Sequence, residues 1–332
     1  MATIQVYQAT KVGGPFELIT APKPTPGAGE VTIRPKAVAI NGIDWKNITF
    51  GATIQSWPAV LGIDGAGVIE EVGEGVTAFK PGDEVLSYAR GILGKGSFQE
   101  VYVAVAEEVA KKPAYLSFEE AASLSTCFLT AEGAIAGGLK VGVPGLSKIE
   151  NTNPPKSILI LGGSSAVGAA AIQILRFALP SVTIVVTSSK PHHEHLKSLG
   201  ANAALERSAQ QDSAALKAAS PGGVGFDAVL DAVGAGPESP AVYDSFRADG
   251  PKLYSLVLTR PGAQPPKELQ STLVSVMNAE LGAMAWLGKQ LEERKYKVPV
   301  KAEVVGHGFP DIQKGLARFP AQVSGVKLIV TL

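Results

Sequence analysis

Along residues 1 to about 110 the apolar positions come in short runs separated by turn residues. Val31 to Ile40 is rich in β-branched side chains, Gly65 to Val72 alternates small and apolar positions, and Val85 and Leu86 follow a Pro81-Gly82-Asp83 turn. Phe98 to Val105 has the same character. Few windows carry a helical period, so this stretch predicts an antiparallel, partly barrel-like domain.

The pattern changes near residue 117. Ser117, then Glu119, Glu120 and an Ala-rich run, has the form of a capped helix start, and Thr130 to Leu139 reads as a second helix. Val143 to Ser157 holds two Asn, three Pro and a Gly and predicts an exposed loop. Strands at Ile158–Leu161, Val182–Thr187, Phe226–Leu230 and Leu253–Leu258 then alternate with helices at Ala166–Leu179, His193–Leu199 and Ala241–Phe246. Such alternation implies a doubly wound parallel sheet with right-handed crossovers. From 260 to 295 a Pro-containing loop precedes an apolar helix with Leu273, Val274, Met277, Leu281, Met284 and Trp286. The loop from Arg260 to Glu268 and this helix are expected to shape an apolar pocket. Residues 298 to 332 return to short strands, expected to pack back onto the first domain. The division is therefore 1–125, 126–295 and 296–332, an α/β domain inserted into a mostly β one. No internal repeat or low-complexity tract is present.

Length supports two domains, because single cores stop growing below 332 residues. Charged residues make up 18% and balance at +0, which leaves no global attraction for nucleic acid or anionic lipid. Cys127 is the single cysteine, so no intramolecular disulfide can form, which fits a reducing, cytoplasmic setting. Residues 1–5 lack a basic region followed by an apolar one, so no signal peptide is expected. The longest apolar stretch, Ser157 to Leu179, is broken by Gly162, Gly163, Ser164, Ser165 and Arg176 and reads as strand, loop and helix rather than a membrane span.

That stretch carries the sharpest chemical signal. An apolar strand runs into Gly162, Gly163, Ser164, Ser165, Ala166, Val167 and Gly168, and a long apolar helix follows at once. Gly163-x-Ser165-x-x-Gly168 approximates a dinucleotide fingerprint with Ser as its middle small residue. Small residues let the backbone approach a pyrophosphate, and the helix N-terminus offers N–H groups and a positive dipole end. NAD-specific folds place Asp or Glu at the end of the second strand. Here Ser188, Ser189 and Lys190 stand there, which favours the 2′-phosphate of NADPH. His192, His193 and His195 are crowded for zinc, with no cysteine nearby, and suit a surface or phosphate-side role.

With these residues in place the chain resembles the medium-chain dehydrogenase/reductase superfamily in its zinc-independent branch. That branch holds quinone oxidoreductases and the trans-acting enoyl reductases of fungal polyketide pathways. The resemblance covers nearly the whole chain. It rests on Val38 to Lys46, Leu61 to Ile69, Val72 to Val76 with Phe79 to Val85, Thr130-Ala131, the Ser164-to-Gly168 loop and Val323 to Lys327. It implies a Rossmann domain inserted in a GroES-like catalytic domain. Where zinc-dependent relatives place Cys, this chain has Asn41, and where they place His-Glu it has Ile63-Asp64. A catalytic zinc needs about three protein ligands, and that set is missing from the motif.

The zinc-free branch reduces activated double bonds. Hydride goes to the β-carbon of an enone or enoyl thioester, charge builds on the carbonyl oxygen, and a proton must reach the α-carbon. The resemblance offers Lys46 as the cation or proton source and Thr130 as a hydroxyl orienting nicotinamide or substrate, with Asn41 lining the same cleft. It further implies cofactor contacts at Asn41, Ile43, Asp44, Lys46, Thr130, Leu256, Val257, Ser324 and Lys327. From the residues alone, Lys46 is equally a surface lysine after a turn and Thr130 a helix cap. Asp44 and Asp64 read as structural groups bonding turn amides, and Asp231 as a cap for the turn at Ala232 to Gly234.

Three departures from the family pattern stand out. The Val143-to-Ser157 loop is long, as in the fungal type. Glu206 and Arg207 occupy the region where a Tyr is frequent. The catalytic acid is ambiguous. The expected activity is an NADPH-dependent enoyl or enone reductase, possible in fungal secondary metabolism with a polyketide synthase partner. The alternatives are a quinone reductase and an inactive cofactor-binding scaffold. A monomer and a homodimer are both compatible with the resemblance.

Overall fold

The computed structural model describes residues 2–259, 264, 266–319 and 323–332. The strands are β1 (Thr3–Ala9), β2 (Phe16–Pro22), β3 (Glu30–Ile40), β4 (Asp64–Val72), β5 (Glu84–Tyr88), β6 (Tyr102–Val105), β7 (Val109–Lys111), β8 (Ser157–Leu161), β9 (Thr183–Ser188), β10 (Ala203–Glu206), β11 (Ala228–Asp231), β12 (Leu253–Val257), β13 (Gln270–Val274), β14 (Lys301–His307) and β15 (Val326–Thr331). The α-helices are α1 (Gly42–Phe50), α2 (Phe118–Ala122), α3 (Ser125–Gly133), α4 (Ala166–Ala178), α5 (His193–Ser198), α6 (Ser213–Ala218), α7 (Ala283–Glu292) and α8 (Ile312–Ala317). Two compact units emerge, Met1–Thr126 with Met284–Leu332, and Cys127–Ala283.

In the first unit β3 is the organising strand. Along one edge it pairs with β4, and along the other with β6 from Glu30 to Ile33 and with β15 from Ala37 to Ile40. The exchange of partners occurs at Pro35, beside a register shift, where a residue without N–H costs no ladder bond. Opposite it, a Cβ on Gly67 would stand 2.1 Å from the Arg34 carbonyl oxygen, so only glycine fits. This change of partner lets β3 join β6 and β15 along one edge while β4 takes the other. Val31, Ile33, Ile69, Val85, Tyr102 and Val109 fill one core. Val38, Ile40, Leu61, Phe98, Ile312 and Leu328 fill another.

The second unit is a parallel sheet of order β10-β9-β8-β11-β12-β13. In chain order this is 3-2-1-4-5-6, the doubly wound arrangement. β8 is buried at every position, which explains its unbroken apolar run. No helix among the described residues is long and apolar enough to cross a membrane.

Several elements differ from the sequence reading. Helix α1 interrupts the run of strands that the sequence predicts, and its apolar residues lack helical spacing. It is set by its ends: the Asn41 N–H donates to Asp44 Oδ2 at 2.8 Å, and Gly51 closes it at φ 66°. The strand expected from Phe98 begins only at Tyr102. Thr130 does not open a helix but lies within α3, which runs on into a π-helical turn at Ala134–Gly138. The helix expected at Ala241–Phe246 is a 3-10 segment, Pro240–Ser245, and β10 adds a strand beyond those the sequence predicts. The apolar residues from Leu273 do not form one helix. Leu273 and Val274 end β13, Met277 lies on a 3-10 turn, Leu281 is exposed, and only Met284 and Trp286 lie on α7. Their spacing imitated a helical period across three unrelated elements. The first unit accordingly resumes at Met284 rather than 296. Of the loop from Arg260 to Glu268, residues 260–263 and 265 lie outside the described residues.

The π-helical turn is anchored where Ser255 Oγ donates to the Ala134 carbonyl at 2.9 Å. Just before it stands Glu132, fully buried, with Oε2 accepting the Glu280 N–H at 2.9 Å and Oε1 without a hydrogen-bond partner. Burial pushes this carboxyl up to about 7, against the opposing pull of the Glu280 N–H. A carboxyl with a raised folded-state value favours the folded state when protonated, and this contribution is lost as pH rises from its unfolded value toward 7. Glu132→Gln should therefore flatten part of the fall in melting temperature between about pH 5 and pH 8. Scanning calorimetry across that range checks it, and an unchanged slope would count against a buried acid here.

Candidate active site

In the second unit the chain leaves β8 through three glycines that tolerate no side chain. A Cβ on Gly162 would lie 2.4 Å from Val233, one on Gly163 2.8 Å from Val186, and one on Gly168 2.4 Å from the Gly162 carbonyl oxygen. Gly162 also has φ 74°, which glycine adopts without strain. Ser165 caps α4, its Oγ accepting the Gly168 N–H at 3.0 Å. The N–H groups of Ala166 and Val167 open the helix and have no intrahelical acceptor. Ser164 is buried beside them. This cradle, which Cβ atoms would fill, fits a dinucleotide pyrophosphate.

At the carboxyl end of β9, Thr187 Oγ1 accepts from Gln210 Nε2 at 2.6 Å. Ser188 is buried, Ser189 half-buried and Lys190 exposed. Glu206, at the end of β10, stands opposite Ser188. Leu256 and Val257 end β12 and are buried, as is Thr130 on α3. Asp231 caps its turn as expected, Oδ1 accepting the N–H of Val233 and of Ala235 at 3.1 and 3.0 Å.

In the first unit, a buried polar network joins four distant segments. Lys327 Nζ lies 3.0 Å from Asp64 Oδ2 and donates to Asn41 Oδ1 at 2.5 Å. Asn41 Nδ2 donates to Asp64 Oδ2 at 2.9 Å. Thr126 supplies its N–H at 2.8 Å and its hydroxyl at 2.6 Å to Asp64 Oδ1. Asp64 has no exposed surface, and Asn41 and Lys327 are 6% and 5% exposed. The two polar ends of Asn41 thus face Lys327 and Asp64. Asp44, beside them, accepts the N–H of Asn41 and of Gly62, as expected of a turn carboxylate. Burial pushes its carboxyl up to about 7, with the two N–H bonds pulling the other way. Asp64 is bound chiefly by side chains rather than turn amides.

Lys46 lies on α1, half-buried, and burial lowers the pKa of its ammonium. Ile43 shares that helix, and Ser324 is half-buried just before β15. The structure places Asn41, Asp44 and Lys327 together. Ser188, Ser189 and Lys190 share one strand end, and Gly163 to Val167 one loop. Thr126 escaped the sequence reading, because nothing local marks a threonine whose partner stands 62 residues earlier.

Residues 27–114 match the alcohol dehydrogenase GroES-like domain, and residues 166–254 match the zinc-binding dehydrogenase domain. The dehydrogenase orf1 of Aspergillus niger is 31% identical over 332 residues, covering 94% of each chain. This chain belongs to the medium-chain dehydrogenase/reductase family. Among its relatives, the trans-enoyl reductase tazE of Aspergillus terreus is 35% identical over 205 residues, 59% of this chain and 66% of that protein. The fold is shared with a quinone oxidoreductase from Coxiella burnetii at TM-score 0.73 and 24% identity, over 100% of both chains. Family membership makes the chain a nicotinamide-dependent oxidoreductase with a Rossmann domain inserted in a GroES-like one.

Asp64 and Lys327 thus form a buried carboxylate–ammonium pair within the first unit. Removing one partner of a buried ion pair typically costs about 3–5 kcal/mol, because the other charge stays desolvated. Lys327→Met should destabilise the first unit by that order, and adding Asp64→Asn should restore part of the loss. Urea unfolding of the single and double variants measures the coupling; additive losses would mean the pair does not interact.

Proposed function

We propose that this chain is an NADPH-dependent, metal-independent reductase of carbon–carbon double bonds conjugated to a carbonyl, in enones or enoyl thioesters. The observation that carries this reading is the Asp64–Lys327–Asn41 network. Where the reaction on a simple ketone would call for a metal ligand set, both oxygens of the one carboxylate are already taken by Lys327, Asn41 and Thr126. Kinship with a protein named trans-enoyl reductase supports the same substrate class.

The loop from Gly163 to Val167 would hold the pyrophosphate, and Ser188, Ser189 and Lys190 the adenosine phosphate. Bound NADPH supplies a hydride. The chain's own part is to stabilise the charge that builds on the carbonyl oxygen and to deliver a proton to the α-carbon. We assign both to Lys46. A lysine lowered by burial gives up its proton more readily than one in water, while its charge still attracts an oxyanion. Thr130, buried on α3, orients the bound ring through its hydroxyl.

The test follows NADPH absorbance with a panel of enones, enoyl thioesters and quinones. Oxidation by the first two classes is expected. Oxidation by quinones alone would make the chain a quinone reductase, and cofactor binding without any turnover would make it a binding scaffold. Losing a donor aimed at transition-state charge costs on the order of 10²-fold in turnover. Lys46→Ala and Lys46→Met should both lower kcat at least about tenfold, with NADPH affinity little changed. Wild-type rates in both variants would remove Lys46 from the mechanism.

A further inference from the structure

Charge balances over the whole chain but not over three neighbouring turns of the first unit. Residues 10–15, 45–58 and 90–97 carry Lys11, Lys46, Arg90 and Lys95 and no carboxylate. Arg90 is met by Glu108 at 3.6 Å, while Lys11 and Lys95 are exposed. In each turn an apolar residue stands directly before a glycine with positive φ: Val12 before Gly13 at 82°, Phe50 before Gly51 at 66°, and Leu93 before Gly94 at 73°. A left-handed glycine reverses the chain and leaves the preceding side chain at the tip. Val12, Phe50 and Leu93 are accordingly 43%, 61% and 60% exposed. The tips are tied to one another. The Gly13 N–H donates to the Ile48 carbonyl at 2.7 Å, and a Cβ on Gly51 would lie 3.0 Å from Val12 Cγ2. Thr53 donates its N–H to Asn47 Oδ1 at 2.9 Å and its hydroxyl to the Ile92 carbonyl at 3.1 Å. Trp45 meets Phe50 edge-on at 5.5 Å, which fixes the direction of the Phe50 ring.

We propose that these three tips form a docking surface for an anionic lipid bilayer. Val12, Phe50 and Leu93 enter the headgroup layer, and Lys11 and Lys95 meet the lipid anions. Clustered exposed apolar side chains mark an interaction surface, and the absence of carboxylates from the three turns selects a negatively charged one. Apolar residues on separate turns suit a fluid interface, which moulds around each, whereas a folded protein partner needs a matched pocket for every one. The balanced total charge adds no long-range attraction, so binding depends on this patch alone. Lys46 stands one turn before Phe50 on α1, about 6 Å along the axis. The surface therefore borders the site proposed above; that adjacency rests on the reductase reading, whereas the docking itself does not.

The test is sedimentation of the full chain with vesicles of phosphatidylcholine alone and of equal parts phosphatidylcholine and phosphatidylserine. The wild type should pellet with the mixed vesicles, be released by high salt, and stay in solution with the neutral ones. Lys11→Gln combined with Lys95→Gln should lose at least about tenfold of partitioning into mixed vesicles, at roughly fivefold for each lysine. Phe50→Ser combined with Leu93→Ser should lose at least about tenfold as well. Val224→Ser, which removes an exposed apolar side chain of the second unit, should bind as the wild type does. All of these side chains are exposed, so melting temperatures should stay close to that of the wild type. Failure of the wild type to pellet with either vesicle, equal pelleting with both, or unchanged pelleting of the Phe50 and Leu93 double variant would each overturn the assignment. Retention on a poly-glutamate resin without vesicle binding would make the tips a contact for an acidic protein and overturn the lipid assignment too.

Discussion

The pair of Lys327 and Asp64, 3.0 Å apart and almost wholly shut off from water, is the constraint on which the first unit turns. Desolvating two such charges costs several kcal/mol each, recovered only when every remaining donor and acceptor is met. Here Asn41 and Thr126 complete the set. The four residues come from the cap of α1, the start of β4, the start of α3 and β15. The pair therefore decides how the last strand meets the first part of the chain, in step with the pairing of Leu328 with Ile40. A discontinuous unit needs such a clasp, because its two pieces, ending at Thr126 and resuming at Met284, share no local sequence.

The second unit depends on a different constraint, the close approach of backbone at the end of β8. Three glycines accept contacts that any Cβ would destroy, so the helix can start directly under the strand end. With the sheet order reversing at β8, the carboxyl ends of the strands form the crevice where doubly wound folds take their ligands. Gly163, Ser188, Asp231 and Val257 all belong to those ends. Most are small or hydrogen-bonded to their own turns, which leaves backbone donors and a few side chains to meet a ligand.

These two constraints divide the chemistry. The glycine cradle is a matter of shape, met by residues with nothing to titrate. The ion pair is a matter of charge balance, and the buried carboxyl of Asp44 lies close beside it. Burial pushes the Asp44 carboxyl up to about 7, so the charge inside the first unit changes as pH passes that value.

The parts of this protein that its sequence determined by itself are those whose causes are local. The strand–loop–helix from Ser157 to Ala178 is written in adjacent residues: an apolar run buried on both faces, small residues, then a cap. The Ser117–Glu120 capping box is equally self-contained, each side chain bonding the other's N–H at 3.1 and 3.0 Å. Tertiary structure decided the rest. Helix α1 has caps but no apolar stripe, so its existence depends on Asp44 finding Gly62. The edge strand β13 is mostly exposed and has one neighbour, so it lacks the pattern of a buried strand and borrowed the look of a helix. Asn41 and Lys327, suggested by resemblance as cofactor contacts, also bond each other across 286 positions. No window of sequence contains that bond, because its energy comes from burial, and burial exists only once both ends of the chain have come together.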